Sequence, residues 1–330
     1  MVAQIDNAYI KHRPYKLYSR LISYALFEGR PLTTRGQWIN LLVFAHFAIE
    51  KRLPQVKKVI KPVFVLGTGR SGTTILGILM SMHKDIGYLN EPKALWHSIY
   101  PNEDVIGSYS RGDVNYRLDE SYASADVVRS AHRLFGFYLA STFSGRVVDK
   151  YPEIIFRVPF IRAIFPDAKF LFLVRNGWET IASIEKWSQR HKEQKDGEVH
   201  DWWGVNGRKW KLMLHQLVEP DPYFSDVLDD IRSLKRHTDM AALEWVLTMR
   251  EGLHAMVKHG DAIHRINYEE LVTSPKSVLG GVLDFCGLRD DPTFFSYALE
   301  TLRPPKAHAP VALHPAIKPL FEQTLAKLGY

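Results

Sequence analysis

Apolar and polar positions change rhythm at about residue 60. Before it the chain reads as helical and irregular, with Pro14, Pro31 and Pro54 as breaks. After it, Val63-Phe64-Val65-Leu66 is a continuous apolar run that ends in glycine. Ile75-Leu76-x-Ile78-Leu79-Met80 then follows at helical spacing. Strand, tight loop, helix is the opening of a parallel α/β sheet. The alternation recurs: short strands are predicted at 86–89 and 146–148, with a helix over 126–143 between them. A helical stretch at 153–165 contains Pro159, which predicts a break or kink. The run KFLFLV at 169–174 reads as a buried strand, with a helix over 177–190 behind it. A helix at about 239–258, a strand at 262–268 and a helix from Ser274-Pro275 to Gly287 complete the pattern.

Repeated β-then-α units predict a P-loop-like parallel sheet with helices on both faces. The organisation expected is a helical N-terminal extension over 1–60 and one domain over 61–330. Within that domain, about 188–238 breaks the rhythm. It is rich in charge, Trp and His, and it reads as a lid or acceptor-binding insertion.

Composition narrows the function classes. The 330 residues are 46% apolar, 24% charged and 12% aromatic, which excludes a disordered or collagen-like chain. A single cysteine, Cys286, excludes a disulfide framework and a Cys-rich zinc module, and it is expected to be buried and inert. The net charge of +7 suits anionic partners such as nucleotides, acidic sugars or lipid headgroups; no nucleic-acid partner is expected. No HExxH, CxxC or EF-hand loop is present, so no metal site is expected. The apolar stretch 39–49, interrupted by Asn40 and His46, is shorter than the about 20 residues of a membrane span. Nor does it read as a signal peptide, because residues of mixed charge precede it and no small-residue cleavage site follows. A cytoplasmic protein is expected. The stretch is read first as a core helix and second as a peripheral membrane contact, given Arg35, Lys51, Arg52, Lys57 and Lys58 nearby.

The chemistry concentrates in Gly67-Thr68-Gly69-Arg70-Ser71-Gly72-Thr73-Thr74, between a strand and a helix. Glycines let successive N–H groups point inward, and the helix N-terminus adds its positive end, so the loop cradles a phosphate. The spacing is that of a nucleotide P-loop, but Thr73 stands where an ATPase has its lysine, and the cation is Arg70. Arg70, Ser71, Gly72, Thr73 and Thr74 are the expected phosphate contacts. At the end of the 169–174 strand, Arg175 offers a bidentate fork, and Ser183 lies two turns into the next helix. With the first loop, they indicate a nucleotide with phosphates at two separate positions.

GTGRSGTT resembles the 5′-phosphosulfate loop of sulfotransferases that use 3′-phosphoadenosine 5′-phosphosulfate (PAPS). FLFLVRNGWETIASIEKW resembles their 3′-phosphate motif, with Arg175 and Ser183 at the family's spacing. FPDAKFLFLVR and HRINYEELVTSPKSVLGGVLDFCGL are also similar to the family, so the resemblance runs from about 62 to the C-terminal LGY, with the insertion poorly matched. The branch it looks most like is that of bacterial and Golgi-type carbohydrate and tyrosylprotein sulfotransferases. PAPS is then the implied co-substrate, and sulfuryl transfer to a hydroxyl, without a metal, the implied reaction.

Glu91, in Leu89-Asn90-Glu91-Pro92, is chosen as the base: it lies past the first helix and a short strand, which return it to the same sheet edge, and the branch is similar there. Burial is expected to raise its pKa into a useful range. His83 and His97 are rival bases. The resemblance further implies Lys150 as stabiliser of the leaving group, beside Arg70, and Tyr268 near the cofactor. It also puts Trp187 where the branch has another arginine, and leaves 303–308 as a candidate C-terminal cofactor loop. Trp202, Trp203 and Trp210 are read as sugar-stacking or packing residues alike. A carbohydrate or glycolipid acceptor is favoured by the Trp-rich insertion and the basic, partly apolar N-terminus. A P-loop kinase and a non-catalytic nucleotide-binding module are the competing readings.

Overall fold

A computed structural model describes residues 2–31, 34, 36–195, 197–304 and 308–330. Among the described residues, three α-helices precede the sheet: α1 (Asn7–His12), α2 (Lys16–Ile22) and α3 (Ile39–Glu50). Then come β1 (Val63–Leu66), α4 (Thr73–Ser81), β2 (Ile86–Asn90), α5 (Lys93–Ile99), α6 (Ala125–Ser141) and β3 (Arg146–Lys150). After β3, a 3₁₀ turn at Pro152–Arg157 leads into α7 (Val158–Ile164), β4 (Lys169–Val174) and α8 (Gly177–His191). The insertion holds β5 (Glu193–Lys195), β6 (Glu198–Asp201), β7 (Gly204–Val205), α9 (Arg208–Met213) and α10 (Leu228–Ser233). The chain closes with α11 (His237–His259), β8 (Ile263–Asn267), α12 (Tyr268–Thr273), α13 (Pro275–Cys286), α14 (Pro292–Thr301) and α15 (Lys318–Leu328).

The main sheet has the order β2-β3-β1-β4-β8, and every pairing is parallel. Side chains alternate across it. Phe64, Leu66, Leu89, Phe170 and Phe172 pack on one face in a core shared with α5, α6, α7 and α11. Val63, Val65, Tyr88, Leu171 and Leu173 pack on the other with α4, α13 and α14. With both faces covered, the central strands β1 and β4 read as apolar runs, and that is why they were visible in the sequence. From β1 the chain crosses β3 to reach β2, and from β3 it crosses β1 to reach β4. The loop after β1 therefore sits at the topological switch point, where open α/β sheets bind ligands.

Local chemistry sets the helix ends. Ser124 caps α6 by accepting from the Val127 N–H, and Gly287 ends α13 at φ 63°. Pro159 stands in the first turn of α7, where its missing N–H costs nothing, so it starts that helix instead of kinking a longer one. Cys286 is buried as expected, and burial pushes its thiol up to about 12.

The N-terminal extension is locked to the edge strand β2. Arg20 and Glu28 form a fully buried ion pair; Arg20 also donates to the Tyr88 carbonyl at 3.0 Å, and Glu28 accepts from the Asn90 N–H at 2.8 Å. Such a pair adds little net stability, but it specifies where the segment docks. The insertion is not loop alone: β5-β6-β7 form an antiparallel three-stranded sheet. Trp203 and Trp210 are buried in the main core.

Candidate active site

All five strands of the main sheet deliver a singled-out residue at their carboxyl ends. The glycine loop follows β1, Glu91 follows β2, Lys150 ends β3, Arg175 follows β4 and Tyr268 follows β8. Residues far apart in sequence meet because parallel strands all point the same way.

Glycines hold the loop in its shape. Gly67 has φ 143°, and a Cβ there would lie 2.7 Å from the Leu173 carbonyl oxygen. Gly72 has φ 101°, and a Cβ there would lie 2.4 Å from the Tyr268 ring. Only glycine combines that backbone with that closeness. Gly72 caps α4 without a side-chain hydrogen bond, so the first amides of α4 face outward and are available to an anion. The Ser71 hydroxyl and amide both turn back onto the Thr68 carbonyl, so Ser71 shapes the loop, and Thr73 is buried. Thr74 and Arg70 line the cavity beside the loop. Arg70 is held at φ 69°, a strained conformation of the sort stored at functional sites.

The structure brings the residues of the expected second phosphate position together. Arg70 Nε donates to Ser183 Oγ at 3.3 Å, and Arg175 Nη1 donates to the Arg70 carbonyl at 3.3 Å. Arg175 also pairs with Glu179 at 2.8 Å and lies over the Tyr268 ring, 4.5 Å from its centroid. Arg70 thus touches both Ser183 and Arg175 as well as lining the cavity beside the loop.

Glu91 and Lys150 are in direct contact through an ion pair. Lys150 is buried, and Glu91 keeps 37% of its side-chain surface open toward the cavity. The Glu91 N–H donates to the Lys150 carbonyl at 2.6 Å, and Glu91 adopts φ 50°, a second strained residue in the site. Its pKa departs from expectation. Burial raises it, but Lys150, then Lys93 and Lys209, outweigh burial and hold the carboxyl down to about 2. The neighbouring Asp149 is the opposite case: it is buried, accepts from Trp96 Nε1 at 2.7 Å, and burial pushes its pKa well up.

A cavity of about 550 Å³ lies beside the loop. Its wall includes Glu91, Lys93, Lys150 and Lys209, the aromatic rings of Trp187 and Trp202, and Arg30 from the N-terminal extension. Trp202 roofs the loop: a Cβ on Gly69 would lie 2.6 Å from its ring, and its Nε1 donates to Glu244 at 2.6 Å. Trp187, at the position without the branch's arginine, stacks on His191 and meets Trp202 edge-on. Lys93, Lys209, Glu244 and the extension's share of the cavity wall were not foreseen from the sequence. Lys93 stands two residues after Glu91, but nothing in the local pattern separates it from a surface lysine.

The rival histidines do not reach this site. His83 is buried with Nε2 at 2.8 Å from the Arg289 carbonyl, and His97 packs among Phe44 and Tyr109. The candidate C-terminal loop falls partly on 305–307, outside the described residues. Among the described residues no group of three or more His, Cys, Asp or Glu is placed to hold a metal ion, and no helix is long and apolar enough to cross a membrane.

Residues 62–222 match the model of the sulfotransferase family. The protein-tyrosine sulfotransferase of Drosophila melanogaster is 27% identical over 125 residues, 37% of this chain and 24% of that protein. Human protein-tyrosine sulfotransferase 1 is 26% identical over 155 residues, 46% of this chain and 39% of that protein. The chain therefore spans well under half the length of these curated relatives. The crystal structure of sulfotransferase STF9 from Mycobacterium avium overlaps 87% of this chain and 81% of that one, at 13% identity and a TM-score of 0.48. The matched segment, just under half of the chain, contains the glycine loop, Glu91, Lys150, Arg175 and Ser183, and over it the chain is similar to the sulfotransferase family.

Proposed function

We propose that this chain transfers the sulfuryl group of PAPS to a hydroxyl of a carbohydrate or glycolipid. The observation that carries the reading is the convergence of the glycine loop, Arg175 and Ser183 around Arg70, with the Glu91–Lys150 pair on one cavity wall. The loop amides and the Arg70, Arg175 and Ser183 side chains fit the two phosphate groups of the nucleotide.

In this reading the acceptor oxygen attacks sulfur as the bond from sulfur to the 5′-phosphate oxygen breaks. The acceptor proton passes to Glu91, and the electron pair leaves on the phosphate of adenosine 3′,5′-bisphosphate. The loop amides and Lys150 neutralise that charge, so positioning and electrostatics supply most of the rate. Lys150 has two tasks, and this resolves the low pKa of Glu91. While Lys150 is paired to Glu91, the carboxylate is a poor base. A bound phosphosulfate competes for the ammonium, and the burial of Glu91 then raises its pKa toward the useful range.

The wall supports the proposed acceptor class. Trp187 and Trp202 present rings, and Asn90, His200 and Asp201 present hydrogen-bonding groups, the mixture that suits a sugar. A tyrosyl acceptor is the second reading, because curated relatives are named protein-tyrosine sulfotransferases. Transfer of labelled sulfate from PAPS to a glycolipid fraction, a polysaccharide fraction and a tyrosyl peptide, run side by side, tests both. Label in the peptide alone refutes the carbohydrate reading, and label in none refutes the transferase.

A further inference from the structure

The outer side of α3 is apolar where a surface helix is ordinarily polar. Its inner side, Val43 and Phe47, is fully buried in the core. Its outer side carries Leu41 at 77% exposure, Leu42 at 57% and Ile49 at 61%, with Trp38 at 74% just ahead of the helix. Leu53 and Val56 continue this exposed face beyond the helix. Lys57 donates to the Ser144 carbonyl, which brings the strip beside Phe143, 83% exposed and in ring contact with Tyr18 of α2. Exposed large apolar side chains on this scale mark an interaction surface.

The charge around the strip is one-sided. Residues 36–61 contain Lys51, Arg52, Lys57, Lys58 and Lys61 against one acid, Glu50. Glu50 is buried on the inner side, and burial lifts its pKa to about 8. Arg52, Lys58 and Lys61 are exposed. An apolar strip with Trp at one end and a cationic rim matches an anionic interface that offers acyl chains below and phosphates above. Arg35 lies outside the described residues.

We propose that α3 and the segment after it dock this protein on the surface of an anionic phospholipid bilayer. The docking is peripheral. The strip also leads to the cavity: Asn40 of α3 holds Arg30 through two hydrogen bonds, from the Arg30 N–H at 2.7 Å and to the Arg30 carbonyl at 2.8 Å, and Arg30 lines the cavity. Docking therefore sets the cavity wall close to the bilayer, where a lipid-borne hydroxyl is presented. That last consequence rests on the cavity being the acceptor site; the docking itself does not.

The test is flotation of the full chain, without nucleotide, with vesicles of phosphatidylcholine alone and of phosphatidylcholine with phosphatidylglycerol in equal parts. Flotation with the anionic vesicles and weakening by added salt are expected. The combined variant Trp38→Ser, Leu41→Ser, Leu42→Ser is expected to lose about tenfold or more in vesicle affinity, and Arg52→Glu with Lys58→Glu is expected to lose a similar factor. These side chains are exposed, so an unchanged melting curve separates lost docking from lost folding. Failure to float, equal flotation with neutral vesicles, or unchanged binding by both variants overturns the proposal. So does concentration-dependent dimerisation that the serine variant abolishes, because a second copy then covers the strip. Since no sulfate transfer is read, failure of the transferase reading leaves this result standing by itself.

Discussion

Glu91→Gln keeps the shape of the side chain and one hydrogen bond to Lys150 while removing the charge and the site for a proton. Two effects follow, and their sizes differ. On stability, the carboxyl is held at about 2 against an ordinary 4.5. At about 1.4 kcal/mol per tenfold this bounds the pair near 3 kcal/mol, and solvent at the open side of Glu91 reduces it to about 1–2 kcal/mol. The folded pKa lies below the unfolded one. The stabilisation is therefore present above pH 4.5 and lost as pH falls through about 2. Urea unfolding at neutral pH should show the variant less stable, and the gap from wild type should close as pH falls below 4.5. On catalysis, turnover should fall about 10²- to 10⁴-fold, the weight of a general base, while affinity for adenosine 3′,5′-bisphosphate stays within a few fold. Lys150→Ala should also lower turnover, and the double variant should lose less than the sum, because the two groups touch. The acid limb of kcat should lie at higher pH than that of kcat/KM, since the nucleotide draws Lys150 away from Glu91. Near-normal turnover in Glu91→Gln would refute the reasoning, and His191 and His200, which line the cavity, would become the candidates.

Arg175→Ala should weaken adenosine 3′,5′-bisphosphate by roughly 10- to 150-fold, the loss of a charge-assisted pair of about 1.5–3 kcal/mol. A nucleotide without the 3′-phosphate should be little affected, and equal losses measured by calorimetry would remove Arg175 from that site. Gly72→Ala should abolish nucleotide binding and lower the melting temperature, because the new methyl meets the Tyr268 ring at a φ of 101°; a variant that binds normally would show that the loop is not the cradle. Activity should persist in EDTA, since Arg70, Lys150, Lys93 and Lys209 already line the cavity with positive charge; loss restored by Mg²⁺ would favour the kinase reading.

Much of this protein was legible locally. A strand buried on both faces must be an apolar run, so KFLFLV identified β4 to the residue. A loop that cradles an anion needs glycine at fixed positions, so GTGRSGTT could be singled out without its neighbours. Arg175 and Ser183 belong to one strand–helix unit, and their relation follows from helical spacing. What the chain could not show locally were relations between units. The pairing of Glu91 with Lys150 joins residues 59 positions apart, and it reverses the pKa that burial alone would produce. Trp202 and Trp203 are adjacent in sequence, yet one roofs the loop and the other fills the core, because they form the turn between β6 and β7, whose direction only the tertiary structure sets. The apolar stretch 39–49 fits a core helix and an interfacial one equally well as a pattern. Only packing, which buries Val43 and Phe47 and leaves Leu41, Leu42 and Ile49 in water, shows that it has both faces at once.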